Sequence, residues 1–156
     1  MSTHLEDLET VLVKRPHQVL VIAGAGVSMA TDPTNPCAGW LGLLRHGLQW
    51  SRERYSTTQL QEKIHLYEQL LEKGDMIQVA NFIVTTLRSA YEGEYFRWLT
   101  ESIGRLRVVN NQVIQALVGW NVQIATTNYD NLIEKVGLVQ KRGALLGSVS
   151  ALAAVQ

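Results

Sequence analysis

Apolar residues follow two different periods along this chain, and the change of period marks its elements. Two short runs are continuous and aliphatic or β-branched: Val19-Leu-Val-Ile-Ala-Gly-Ala-Gly-Val-Ser28 and Val122-Gln-Ile-Ala-Thr-Thr-Asn-Tyr-Asp130. Each stops abruptly at a polar turn, as a buried parallel strand does when it delivers a loop at its carboxyl end. The first strand is expected over Gln18 to Ala23, and the second is entered through Trp120. Elsewhere the period is helical. Thr3-His-Leu-Glu6 fits a capping box, with Leu5, Leu8 and Leu12 on one face and Pro16 as the stop. Trp40, Leu43, Leu44 and Leu48 form another helical stripe, after the proline-interrupted loop Thr31–Cys37.

From about Thr57 to Gly104 the pattern is helical throughout. Leu60, Ile64, Tyr67 and Leu71 make one stripe, closed by Gly74 with Asp75 as the next N-cap. Ile77, Ala80, Val84 and Leu87 make a second, and Tyr95, Trp98, Leu99 and Ile103 a third that Gly104 closes. Asn110 to Val118 predicts a further helix, and Asp130 to Val136 one that begins at the second polar turn. The tail from Gly143 to Gln156 is small, uncharged and aliphatic without a clear period. These patterns predict an α/β protein, a doubly wound parallel sheet of Rossmann-like type with a helical insert. One domain is expected over residues 1–156, with a glycine-loop region at 18–30, the insert at 40–104 and a second strand and helix at 120–138.

Composition narrows the function classes. The 156 residues carry 14 basic and 14 acidic side chains, scattered rather than striped, so direct nucleic-acid binding is not expected. A single cysteine, Cys37, excludes an internal disulfide framework and a four-cysteine metal site within one chain. The amino terminus is polar and acidic and no apolar run is long enough to span a bilayer, so the expectation is a cytoplasmic protein with no membrane partner.

Candidate chemistry sits in the two polar turns, because ligands of open α/β sheets occupy the crevice beyond the strands' carboxyl ends. Gly24 and Gly26 would let a ligand approach the backbone, and Ser28 would cap the following helix or donate to the same phosphate. The dinucleotide fingerprint is incomplete, since Met29 occupies the third glycine position, and no Gly-Lys-Ser/Thr follows for a phosphate loop. A tight turn without a ligand remains open for this segment. Asn128 can both donate and accept, so it suits a sugar hydroxyl, a carboxamide or an attacking water, or it closes a local Asx-turn. Asp130 reads in the first place as the N-cap of a helix starting at Asn131.

Taken together, the two motifs resemble the sirtuin-like NAD-dependent superfamily. Gly24-Ala-Gly-Val-Ser28 looks like that family's pyrophosphate loop, and Thr126-Thr-Asn-Tyr-Asp130 looks like the variant carried by its NAD hydrolases rather than its deacylases. Gly39-Trp-Leu-Gly-Leu-Leu44 is similar to a segment these relatives carry after the glycine loop, and the resemblance covers roughly residues 18–138. It implies a sirtuin-type fold in which Gly24, Ala25, Gly26, Ser28 and Thr127 bind NAD, with Ala25, Gly26 and Ser28 at its phosphates. Asn128 would be the catalytic residue, orienting the nicotinamide ribose and its attacking water, and Asp130 would bind the carboxamide. The reaction implied is cleavage of the nicotinamide–ribose bond to give nicotinamide and ADP-ribose, in bacteria a defence activity, with no metal.

Two departures bear on that implication. The missing cysteines disfavour protein deacetylation. The superfamily also places a histidine after the asparagine motif, whereas His4, His17, His46 and His65 all precede Asn128. Leu145-Leu146-Gly147-Ser148 is reminiscent of the family's Leu-His-Gly-Ser with leucine at the histidine position. The family domain is longer than this chain, so a truncated product is expected, or a partner, a homo-oligomer included, that covers an otherwise open sheet face and edge. The alternative function is a catalytically inactive nucleotide-binding or oligomerisation domain, with NAD or an ADP-ribose derivative as ligand in either case. A plain helical interaction domain is the third reading.

Overall fold

Among the described residues only two segments form strands, and they pair with each other. The structure, a computed structural model, describes residues 3–55 and 57–141. In chain order the elements are α1 (Thr3–Lys14), β1 (Leu20–Ala23), α2 (Ala25–Thr31), α3 (Trp40–Arg54), α4 (Thr58–Glu72), α5 (Met76–Ala90), α6 (Glu94–Ser102), α7 (Gln112–Gly119), β2 (Gln123–Thr126) and α8 (Leu132–Lys141). Short 3-10 turns lie at Pro16–Gln18, Pro36–Ala38 and Ile103–Arg105. The tail from Gly143 and the Thr3 side chain of the capping box fall outside the described residues.

The doubly wound, Rossmann-like sheet is not formed: among the described residues the sheet has two strands, and the protein is mostly helical. The physical reason lies between the strands. Close to a hundred residues separate β1 from β2, and their apolar positions recur at helical spacing, so they bury a stripe rather than two sheet faces.

The chain packs as two compact units. One joins the residues up to Asp32 with those from Arg107 onward, and the other is Pro33–Leu106. In the first, β1 and β2 run parallel, with Leu20 opposite Gln123 and Ala23 opposite Thr126. Helix α2 packs on α7, and α7 on α8. Asn121, with φ 53°, takes the left-handed turn between α7 and β2 that asparagine tolerates better than most side chains. The expectation of fully buried strands is corrected by alternate residues of β1. Ala23 is buried and Val21 half-buried, but Leu20 is 57% and Ile22 68% exposed, because with two strands only one face is covered. Helix α1 ends before Pro16 as its sequence requires, yet Leu5 and Leu8 are exposed, since α1 packs mainly on the 3-10 turn that follows it.

The second unit is all-helical, with α3 packed against α4, α5 and α6 around Leu44, Leu48, Ile64, Ile83, Leu87 and Trp98. Gly47 permits the close approach: a Cβ there would stand 2.8 Å from Ile83 Cδ1 and 2.9 Å from Trp98 Cζ2. Gly74 (φ 86°) ends the fourth helix, and the Asp75 carboxylate accepts the Gln78 amide at 3.3 Å as its N-cap. In α5 the buried positions are Val79, Ile83 and Leu87; of the expected stripe Leu87 is buried, Ala80 and Val84 are half-buried and Ile77 is exposed. The apolar arc of α5 is broad, running from Val79 round to Ile77, and the buried part lies toward its Val79 edge, the side on which Phe82 stacks on Tyr67 of α4 with centroids 4.0 Å apart. Glu94 is buried but satisfied, accepting from Trp50 Nε1 and pairing with Arg54, both at 2.9 Å. No helix among the described residues is long and apolar enough to cross a membrane.

Candidate functional site

Parallel pairing brings the carboxyl ends of β1 and β2 side by side, so the two polar turns leave the sheet at the same end. The ladder continues one step further, where the Thr127 amide donates to the Ala23 carbonyl at 3.1 Å. Thr126 secures the second turn from both sides. Its hydroxyl oxygen accepts from the Asn128 amide at 3.0 Å and donates to the Ala23 carbonyl at 3.3 Å. On the first turn Gly24 is extended (φ −118°, ψ −170°), and its carbonyl accepts from Val27 as α2 begins.

Side chains from the two turns then meet. Asn128 Nδ2 donates to the Gly24 carbonyl at 3.0 Å and to Ser28 Oγ at 2.8 Å. Ser28 Oγ donates in turn to Asp130 Oδ2 at 2.6 Å, short as expected for a hydroxyl on a carboxylate. Asp130 Oδ1 accepts from the Leu132 amide at 3.0 Å, the first amide of α8, while Asn131, whose carbonyl accepts from Lys135, holds the N-cap position. The N-cap reading of Asp130 is therefore corrected: one oxygen closes a turn onto the first helical amide, and the other reaches a residue 102 positions away. The local turn is closed by the Thr126 side chain, and the Asn128 side chain reaches across to Gly24 and Ser28.

The predicted site residues divide by exposure. Ser28 is 2% exposed, and Asn128, Asp130 and Gly24 are half-buried around it. Ala25, Gly26 and Thr127 are exposed beside them and contribute no side chain to the network, and Tyr129 stands out at 75% exposure. A Cβ at Gly26 would meet no heavy atom within 4 Å, and one at Gly24 only Thr127 Oγ1 at 3.9 Å. Neither glycine has a positive φ. The fold therefore does not require glycine at either position, and the backbone at Gly26 lies open. The far end of α2 is tied down by Asp32, whose Oδ2 accepts the Arg107 amide at 2.8 Å, and by the Thr31 carbonyl, which accepts from Val109 and Asn110.

None of the described histidines joins this network. His17 lies in the turn before β1, His4 on α1, and His46 and His65 on α3 and α4. His46 Nδ1 accepts from Trp98 Nε1 at 3.1 Å, and burial pushes its pKa down, opposed by Glu53 and reinforced by Arg105. The described residues contain no group of three or more His, Cys, Asp or Glu side chains that could hold a metal ion. Sequence reasoning missed Thr126 as a fastener and the direct Ser28–Asp130 bond. A hydroxyl at the last position of a strand is a usable signal for the first, because it can reach both its neighbour strand and its own turn. No family model, curated protein or solved structure matches this chain.

Proposed function

We propose that the two joined turns bind NAD and cleave its nicotinamide–ribose bond, with water as the second substrate and nicotinamide and ADP-ribose as products. The observation that carries the reading is the Asn128 amide. It bridges Gly24 and Ser28 across 104 and 100 positions of sequence, so the glycine motif and the asparagine motif form one structure. Their likeness to the paired motifs of sirtuin-like NAD hydrolases supports the choice of ligand.

The chemistry asks little of a general acid. The nicotinamide nitrogen of NAD carries a positive charge, so the ring departs neutral without being protonated, and the ribose is left as an oxocarbenium-like centre. What the protein supplies is orientation of the ribose, exclusion of bulk water and placement of one water on the open face. The half-buried Asn128 suits the placing of water and ribose, and the open backbone at Gly26 suits the approach of a pyrophosphate. The described histidines all lie on elements away from these turns, which favours a second reading, in which the same site binds NAD or an ADP-ribose derivative without turnover. Thermal unfolding with and without NAD, run beside an assay for released nicotinamide, separates them. A raised Tm with release supports hydrolysis, a raised Tm alone supports binding only, and neither effect rejects both.

A further inference from the structure

We propose that Ser28 is a positioning residue: anchored by Asp130, it holds the Asn128 amide in one orientation, with Oδ1 as the only group of that side chain left for a ligand. The carbonyl of Gly24 can only accept, so the group 3.0 Å from it is the amide nitrogen of Asn128, not its oxygen. The single Ser28 proton goes to Asp130 Oδ2 at 2.6 Å, so the serine lone pairs face the second Asn128 N–H at 2.8 Å. Both amide protons are then spent inside the protein. The chain of donors runs one way, from Asn128 through Ser28 to Asp130, and the carboxylate at its end sets the direction.

Two consequences follow. With its hydroxyl committed on both sides and only 2% of its surface exposed, Ser28 acts through Asn128 rather than on a phosphate. Asn128 offers an acceptor alone, which selects a ligand donor at that point, a sugar hydroxyl or a water, and disfavours a carbonyl or phosphate oxygen there. This second consequence rests on the proposed NAD reading. The positioning itself does not.

The test is the side-chain amide pair of Asn128 in 15N-labelled full-length protein without ligand, assigned by its disappearance in Asn128→Ala. In Ser28→Ala the pair is expected to move and its exchange with solvent to quicken about tenfold, as for the loss of one hydrogen bond. The side-chain pair of Gln61, bonded to the Arg52 and Tyr55 carbonyls in the helical unit, is the internal control and is expected to stay. Asp130→Ala leaves the buried serine in place and should move the Asn128 pair in the same direction, which keeps the test open if Ser28→Ala fails to fold. An Asn128 pair unmoved in the folded variants overturns the proposal. With nicotinamide release as a second readout, Ser28→Ala should lower kcat about tenfold and change KM by less than about threefold. Wild-type protein that releases no nicotinamide removes the hydrolase reading, and the amide signals still decide the role of Ser28.

Discussion

Replacing Gly26 by valine separates what the fold needs from what the ligand needs. Gly26 lies in the first turn of α2, and the space its side chain would enter holds no heavy atom within 4 Å. In a helix valine is favoured over glycine by roughly 0.3 kcal/mol on the propensity scales. For a chain of this size a kcal/mol moves Tm by about 2–4 °C, so the ligand-free variant should melt within about 1 °C of wild type. The ligand side points the other way. A pyrophosphate hydrogen-bonded to exposed backbone must come within about 3 Å of it, and an isopropyl group at that point displaces it. Loss of one charge-assisted hydrogen bond costs about 1.5–3 kcal/mol, which is roughly a 10- to 150-fold weaker Kd. Calorimetric titration with NAD, paired with the melting curves, reads both quantities. Equal NAD affinity for the two proteins refutes the placing of the pyrophosphate at Gly26, and a Tm loss beyond about 4 °C refutes the claim that the position is open.

Gly42→Ala should do the opposite of Gly26→Val, because its Cβ overlaps the Pro36 carbonyl where a 3-10 turn packs on α3. Overpacking of about 3 kcal/mol less about 1 kcal/mol of helix propensity leaves a net loss near 2 kcal/mol by urea unfolding, and unchanged stability contradicts it. His46 predicts a pH dependence: burial lowers its folded pKa, so its contribution is complete above the unfolded value near 6.5 and is lost as pH falls through the folded pKa. His46→Gln should therefore reduce the decline in Tm as pH falls below about 6.5, and an identical decline in both proteins removes His46 as its source.

What could be read from the sequence was local. The stops at Pro16 and Gly74 and the cap at Asp75 each depend on one residue's backbone or side chain, and all appear where that residue requires. The helical stripes of α4 and α6 were legible for the same reason, with Ile64, Leu71 and Trp98 buried. Helix α5 shows the limit, since an apolar arc that runs from Val79 round to Ile77 does not name which of its edges turns inward. The extent of the sheet was not legible either. A four-residue strand such as Leu20–Ala23 carries no record of how many neighbours it has, and exposed Ile22 reads in sequence like a buried one. Both polar turns could be placed at strand ends from their composition, but the Ser28–Asp130 and Asn128–Gly24 bonds join residues more than a hundred positions apart. Such pairings come from strand register, which only the folded chain supplies.

Nicotinamide release from NAD by the purified chain, with Asn128→Ala assayed beside it, tests the central claim most directly. Release by the wild type and at least about a hundredfold less by the variant are expected, since the amide that the variant lacks is the group that places ribose and water. Release that survives unchanged in Asn128→Ala contradicts the assignment of this site, and no release from the wild type contradicts the hydrolase.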